Sequence, residues 1–434
     1  MTDIREFERK LESAEAAGVL AAVYGADAGR EASRYLGLAE AVLDDLKAEG
    51  LRAEELRAYS APGRTELGGN HTDHNRGRVL CASVGLDAAA CAAPRDDGLI
   101  SIVSEGYPEA IRVELSALAP RAAEAGSTAA LVRGVAKGIS DRAAAAQRSA
   151  RGFTARVASR VLPGSGLSSS AAFEVLVGTI LADMTGIDLS PVEIARIGQF
   201  AENEYFGKPC GLMDQTASAV GGVVAIDFAD PSAPIVEGIA YDFGAKGYDL
   251  VIVNTGGSHA DLTPEYAAVP AEMKAAAELL GASYLRELDP ALIVSRGPEI
   301  RRACGDRAFL RAMHFASENV RVGLMVAALR SDDMAAYLGL VRESGRSSWE
   351  LLQNLYPSGA KKEQGLPVAL SLTEALLGSD GACRVHGGGF AGTIQAYVPV
   401  ARKSEYAGLM EKYFGAGSVI PAALRSKGAV RIAL

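Results

Sequence analysis

The stretch LPGSGLSSSAAFEVLVGTILADMTG, residues 162–186, commits the chain to a strand end, a glycine–serine turn and an apolar helix that stops at Gly186. FTARVASRV, residues 153–161, alternates as a strand and delivers the chain into that turn. Pro163, Gly164, Ser165, Gly166 and Leu167 make the turn, and Ser168, Ser169 and Ser170 are helix-capping types. The glycines permit close approach to the backbone, and the helix start offers unpaired N–H groups at a positive dipole end. Such a turn either serves the backbone alone or cradles a phosphate group. GxxxxGK[ST] occurs nowhere in the chain, which argues against a P-loop as the source of any nucleotide chemistry.

At 434 residues the chain exceeds what one hydrophobic core supports, so two lobes with a ligand cleft between them are expected. Residues 4–50 read as helical, 78–93 and 99–106 as strands, and the middle of 127–148 as a long helix. SPVEIARIGQFAENEYFG opens with a capping box at Ser190, Pro191 and Glu193 and closes at Gly207. Residues 211–222 read as a helix, 223–228 and 248–255 as strands, and 265–355 as helix-rich. CRVHGGGFAGTIQAYVP, residues 383–399, is a glycine turn followed by a strand. The turn-rich ADPSAP near residue 230 sets the expected boundary between an N-terminal part, 1–230, and a C-terminal part, 231–434.

A formal charge of -9 without a dense Lys/Arg stripe argues against a nucleic-acid surface. Five cysteines, odd in number and free of any CxxC pair, fit a reducing compartment and small core positions. The N-terminus mixes charges of both signs, unlike a secretory leader, and no uncharged apolar run approaches a membrane span. A cytoplasmic location is expected.

APGRTELGGNHTDHNRGRVL, residues 61–80, packs Arg64, Glu66, Asn70, His71, Asp73 and His74 among glycines and reads as a loop at a strand edge. Asp214 in GLMDQ stands at a helix start, placed either to act on a hydroxyl or to cap the helix. Glu202 in AENE lies on an amphipathic helix, either as a solvated face or as one of the few carboxylates a magnesium ion needs. HGGGFAG contains GxGxxG at Gly387, Gly389 and Gly392, but a strand follows it, so it is no dinucleotide fingerprint. HTDH lacks the helical spacing of a zinc pair, and no GxSxG elbow exists.

Taken in order and at their separations, these blocks resemble the three signature motifs of the GHMP small-molecule kinases, and the first resembles that of galactokinases in particular. PGSGLSSSAAFEV is similar to the ATP-phosphate loop, GKPCGLMDQ to the catalytic-aspartate segment, and VHGGGFAGT to the third motif, which supports that loop. NTGGSHADLTPEY resembles the region ending in a sugar-contacting tyrosine, and HFASENVRVGLMVAAL the helical region that follows. The resemblance runs from about residue 60 to the end.

It implies a two-lobed α+β fold, with an N-terminal lobe like ribosomal protein S5 and a ferredoxin-like α/β C-terminal lobe. It implies phosphorylation of the anomeric hydroxyl of D-galactose by ATP, with Mg2+ as cofactor, in a monomer or weak dimer that binds neither nucleic acid nor membrane. Asp214 and Arg64 would be catalytic, and Glu66, Asn70, His71, Asp73, Gly211 and Tyr266 would face the sugar. Residues Pro163, Gly164, Ser165, Gly166, Leu167, Ser168, Ser169 and Ser170 would bind ATP. Gly387, Gly388 and Gly389 would support them, and Ser169 and Glu202 would hold the metal.

Galactokinases usually carry GRVNLIGEHTDYNGGxVL where this chain reads GRTELGGNHTDHNRGRVL. Glu66, Gly68, Asn70 and His74 replace asparagine, isoleucine, glutamate and tyrosine. The replaced glutamate is the contact to the sugar 6-hydroxyl, and an amide does not repel a carboxylate, so a C6-altered sugar such as a hexuronic acid is an alternative substrate. A non-catalytic sugar and ATP sensor is a second alternative, against which Arg64, Asp214 and the intact GLSSSAA stand.

Overall fold

The alanine-rich half of β2 (Arg78–Arg95) decides how the layers stack. Side chains alternate across a strand, so Ala88, Ala90 and Ala92 face one way and Ala89, Cys91 and Ala93 the other; all are buried. Small residues on both faces let helices close on each side. The N-terminal helices Ile4–Leu11, Ala14–Tyr24 and Ala28–Ala48 cover the second set with Phe7, Leu20, Tyr35 and Val42. Helices Thr128–Ala145, Ser169–Thr185 and Pro191–Ala201 cover the first with Val132, Val135, Leu176, Ile180 and Ile197. The computed structural model describes residues 4–161, 166–208, 210–257 and 262–432; Pro163, Gly164 and Ser165 of the expected phosphate turn lie outside the described residues.

β1 (Arg57–Gly68), β2, β3 (Leu99–Ser104), β4 (Tyr107–Glu114), β5 (Gly152–Ser159) and a C-terminal strand form a sheet in the order C-terminal strand, β1, β2, β5, β3, β4. Only the β3–β5 pair is parallel among the described pairs of this sheet. β6 (Val223–Asp227) pairs with the start of β2, and β7 (Ile235–Ile239) pairs with β6. A second, antiparallel sheet holds β8 (Tyr248–Asn254), β9 (Ala382–Val385), β10 (Thr393–Pro399) and β11 (Val419–Pro421) in the order β11, β8, β10, β9. The chain then returns to the first sheet as β12 (Val430–Ile432), the C-terminal strand beside β1. Long helices between β8 and β9 pack Val322 and Met325 against Leu67, Leu80 and Ile252, joining the two sheets in one core. None of the described helices is long and apolar enough to cross a membrane. Cys81, Cys91 and Cys383 are buried as core residues, and Cys210 and Cys304 are partly exposed.

The loop expected over residues 61–80 is corrected. Ala61–Gly68 completes β1 and pairs with β2, with register breaks between Pro62 and Arg64 and between Glu66 and Gly68. Its polar side chains are buried instead of solvated, because the second sheet meets them. Arg384 of β9 is fully buried and donates from Nη2 to Glu66 Oε1 at 2.6 Å and from Nη1 to the Glu66 carbonyl at 3.2 Å. Gln395 donates to Thr65 Oγ1 at 2.6 Å and to the Glu66 carbonyl at 3.0 Å, and His386 Nε2 meets Thr65 Oγ1 at 3.0 Å. This is a polar seam between the sheets. Burial raises the Glu66 carboxyl above its ordinary value against the pull of Arg384, so the pair is held at a desolvation cost.

Removing one partner of such a pair strands a buried charge. Arg384→Met is therefore expected to lower the unfolding free energy by about 3–5 kcal/mol, read from urea denaturation. An unchanged urea midpoint would show that the seam does not hold the sheets together.

Candidate active site

Two buried elements bring a cation and a carboxylate together. Arg64 on β1 donates Nε to Asp214 Oδ1 at 2.6 Å and Nη2 to Asp214 Oδ2 at 2.7 Å, a two-point contact that fixes the carboxylate plane. Asp214 lies in the first turn of the helix Met213–Val220, but it caps nothing there. Ser168, at the cap position of the helix Ser169–Thr185, makes no capping bond either; its hydroxyl donates to Asp214 Oδ2. Arg64 spends Nη1 on the Gly166 carbonyl, and its backbone N–H on the Leu167 carbonyl at 3.0 Å. The charged pair is thus built against the phosphate-turn helix start. Burial pushes the Asp214 carboxyl up, yet the Arg64 charge and hydrogen bonds, with Ser168, outweigh it and hold it below the usual carboxylate range. The Arg64 side chain is 7% exposed and that of Asp214 29%, so the carboxylate is the member open to a ligand.

Beside the pair, Gly211 lets Asp73 lie flat on the chain; a Cβ at Gly211 would sit 1.8 Å from Asp73 Oδ2. A cavity of about 140 Å³ opens there, walled by Asp73, His74, Gln199, Cys210, Gly211 and Phe228. The third glycine motif holds three other candidates by successive carbonyls. Asn70 Nδ2 donates to the Gly387 carbonyl at 2.7 Å, His71 Nε2 to that of Gly388 at 2.9 Å, and the Tyr266 hydroxyl to that of Gly389 at 2.8 Å. The bond from His71 Nε2 sets its tautomer and leaves Nδ1 as an acceptor.

A second buried cluster lies behind Asp214. Glu202 begins a π turn, Glu202–Phe206, that follows the helix Pro191–Ala201, and it is buried, not on a solvated face. The side-chain amide of Gln215 donates to Glu202 Oε2 at 3.0 Å and to Glu174 Oε2 at 3.0 Å. Burial, then the Glu202 charge, pushes the Glu174 carboxyl up to about 8. Glu174 Oε1 is buried without a hydrogen-bond partner. Glu202 offers a hard carboxylate oxygen of the kind magnesium takes, its other oxygen being tied to Gln215. Among the described residues no three His, Cys, Asp or Glu side chains gather into a metal cage.

Comparison with known proteins gives the family of the chain. The GHMP kinases N terminal domain matches residues 130–222, and the galactokinase galactose-binding signature matches residues 50–94. The galactokinase of Actinobacillus pleuropneumoniae serotype 3 is 32% identical over 345 residues, covering 78% of this chain and 84% of that protein. The chain belongs to the galactokinase family of GHMP kinases. The galactokinase of Haemophilus influenzae strain PittEE is 31% identical over 351 residues, covering 80% of this chain and 85% of that protein. In fold the chain is similar to Lactococcus lactis galactokinase, solved in complex with galactose, with a TM-score of 0.76 at 22% identity over 90% of this chain and 99% of that one. A mevalonate kinase follows at a TM-score of 0.60 and 14% identity, over 85% of this chain and 99% of that one. The two-lobed α+β architecture is that of GHMP kinases.

Within this galactokinase framework, the structure brings Arg64, Asp214, Ser168, Gly166 and Leu167 together, and Asp73 with Gly211. Glu66 and Asn70 sit apart, beneath the cleft. Both are buried, and Asn70 divides its amide N–H groups between Glu66 Oε1, at 3.0 Å, and the Gly387 carbonyl. Its Oδ1 accepts from Asn354 at 2.8 Å. Sequence reasoning missed Arg384, His386, Asn354, Glu174 and Gln215. Arg384 and His386 were signalled by polar residues alternating with Cys383 and Val385 just before the glycines, and Glu174 by a charge among apolar neighbours in the first half of its helix.

Three histidines share one electrostatic condition. Burial pushes His71 down to about 4, and it also lowers His314 and His386. Each folds as neutral imidazole, whereas the unfolded chain takes up protons near about pH 6.5. The unfolded state then binds more protons, so these groups contribute full stability above about pH 6.5 and lose it as pH falls towards 4. The thermal midpoint is expected to drop steadily between about pH 7 and 5, with a shallower slope in His386→Gln. A flat profile over that interval would refute the assignment.

Proposed function

We propose that this galactokinase transfers the γ-phosphoryl group of ATP to the anomeric hydroxyl of D-galactose, releasing α-D-galactose 1-phosphate and ADP. The observation that carries the reading is the two-point Arg64–Asp214 pair set against the start of the helix Ser169–Thr185. Asp214 accepts the hydrogen bond of the 1-hydroxyl and turns its oxygen towards the phosphorus. A carboxylate held below its usual range is a weak base, and a loose phosphoryl-transfer transition state asks for little deprotonation in advance. The O1–P bond forms as the bridging bond to the β-phosphate breaks, and the proton leaves through Asp214. Arg64 keeps that carboxylate ionised and offsets charge spreading over the transferred group. Residues 163–170 line the phosphates, and the open helix N-terminus donates to them.

Asp73 accepts from two adjacent sugar hydroxyls, so an epimer leaves part of the site unpaired. His71 offers Nδ1, and Tyr266 closes the wall with its ring. Ser169 and Glu202 would hold a magnesium ion with the nucleotide, which supplies charge neutralisation at the β- and γ-phosphates. In this reading residues 1–230 bring the sugar motif, the phosphate turn and Asp214, and residues 231–434 bring the third glycine motif. The uronate alternative leaned on Asn70 as an available amide; with its N–H groups spent on Glu66 and Gly387, nothing favours it.

Asp214→Asn is expected to lower kcat by about a thousandfold or more while ADP affinity stays within about threefold. Turnover near the wild-type rate would reject the role of Asp214. A coupled ADP-release assay across galactose, N-acetylgalactosamine, talose, arabinose, galacturonate and glucuronate is expected to rank galactose first. Preference for a uronate would overturn the substrate, and sugar and ATP binding without ADP release would overturn the enzyme.

A further inference from the structure

Glu174 has no role in the reaction as described, yet its surroundings are costly. It lies on the helix Ser169–Thr185, is 1% exposed, and shares one amide with a second buried carboxylate. Bringing two carboxylates to a single nitrogen opposes folding, and a purely structural contact there would be met by an apolar or amide side chain. Among the described residues the amide's further contact is a long one, from Nε2 to Cys210 Sγ at 3.7 Å. Gln215 is fully buried, its Nε2 serves both carboxylates, and its Oε1 has no hydrogen-bond partner. Which way the amide faces is therefore decided chiefly by the two carboxylates, each at 3.0 Å against 3.7 Å for the sulfur.

Room for this arrangement is built into a third helix. Gly198 lies inside Pro191–Ala201, where a Cβ would stand 3.1 Å from Gln215 Cγ and 3.1 Å from Glu174 Oε2. Gln215 directly follows Asp214, and Glu202 opens the π turn, so the cluster links the phosphate-turn helix, the Asp214 helix and the π turn. On Glu202 the amide ties down Oε2, while Oε1 lies 3.7 Å from the ammonium of Lys208, a side chain 67% exposed.

We propose that Glu174 is a positioning residue for Glu202: by orienting the Gln215 amide it fixes one Glu202 oxygen and leaves the other directed outward for a divalent cation. The inference rests on the reading of Glu202 as a metal-holding residue. If Glu174 is replaced by an apolar side chain, the amide can turn its oxygen towards Glu202, which then loses a hydrogen bond and gains a repulsive neighbour. Metal affinity falls, and sugar binding, which uses other side chains, does not.

The test is Mn2+ binding to the full-length enzyme–ADP complex, followed by electron paramagnetic resonance, alongside galactose KM and thermal melts. Glu174→Leu is expected to weaken Mn2+ about tenfold with galactose KM within about twofold. Glu174→Gln, whose carbonyl can still accept from the Gln215 amide, is expected to stay within about threefold of wild type. Gln215→Met removes the bridge from its other end and carries the test if Glu174→Leu does not fold. The double variant is expected to be no weaker than Gln215→Met alone, as for residues acting through one contact. Wild-type Mn2+ affinity in Glu174→Leu or Gln215→Met, with Glu202→Gln weakened, overturns the proposal alone. Unchanged affinity in Glu202→Gln overturns the metal reading of Glu202 and the proposal with it.

Discussion

One strand carries two buried charges of opposite sign two residues apart, and each is neutralised by a different part of the chain. Arg64 is met by Asp214 from the N-terminal half, and Glu66 by Arg384 from the second sheet. An unpaired charge at either position would cost several kcal/mol, so β1 can be buried only when both partners have arrived. The catalytic geometry and the junction of the sheets are thereby one folding problem. The same strand that presents Arg64 to the cleft is clamped from behind by Arg384, Gln395 and His386.

Long regular elements were legible because their apolar periodicity reports burial directly. The alternation of 153–161, the capping box at Ser190 and the glycine turn before TIQAYVP each correspond to an observed element. Short strands such as β11 and β12, three residues each, carry no such period and take their form from tertiary pairing. The polar residues 61–68 look like a loop because sequence patterns equate polarity with solvent, and a buried polar seam breaks that equation. The same equation left a solvated face open as one reading of Glu202 and a helix cap as one reading of Ser168. Only the fold shows that Glu202 is enclosed and that the Ser168 hydroxyl turns to Asp214.

The two departures from the galactokinase motif at Glu66 and Asn70 are a single feature. They touch each other, and the motif's amide and carboxylate stand here in reversed order along the chain. Seen singly, Asn70 suggests a change of substrate. Seen as a pair with Arg384, the reversal moves the negative charge into the seam, where a guanidinium already waits. The carbonyls of Gly387, Gly388 and Gly389 then hold the side chains of Asn70, His71 and Tyr266 in a row, which ties these three residues to the glycine turn.

The sheets share an apolar core around Val322 and Met325, and the bonds around Glu66 add directional contacts that fail together within about an ångström of displacement. The two sheets are thus geared rather than hinged. A shift of one sheet against the other would therefore be costly to the stability of the whole molecule.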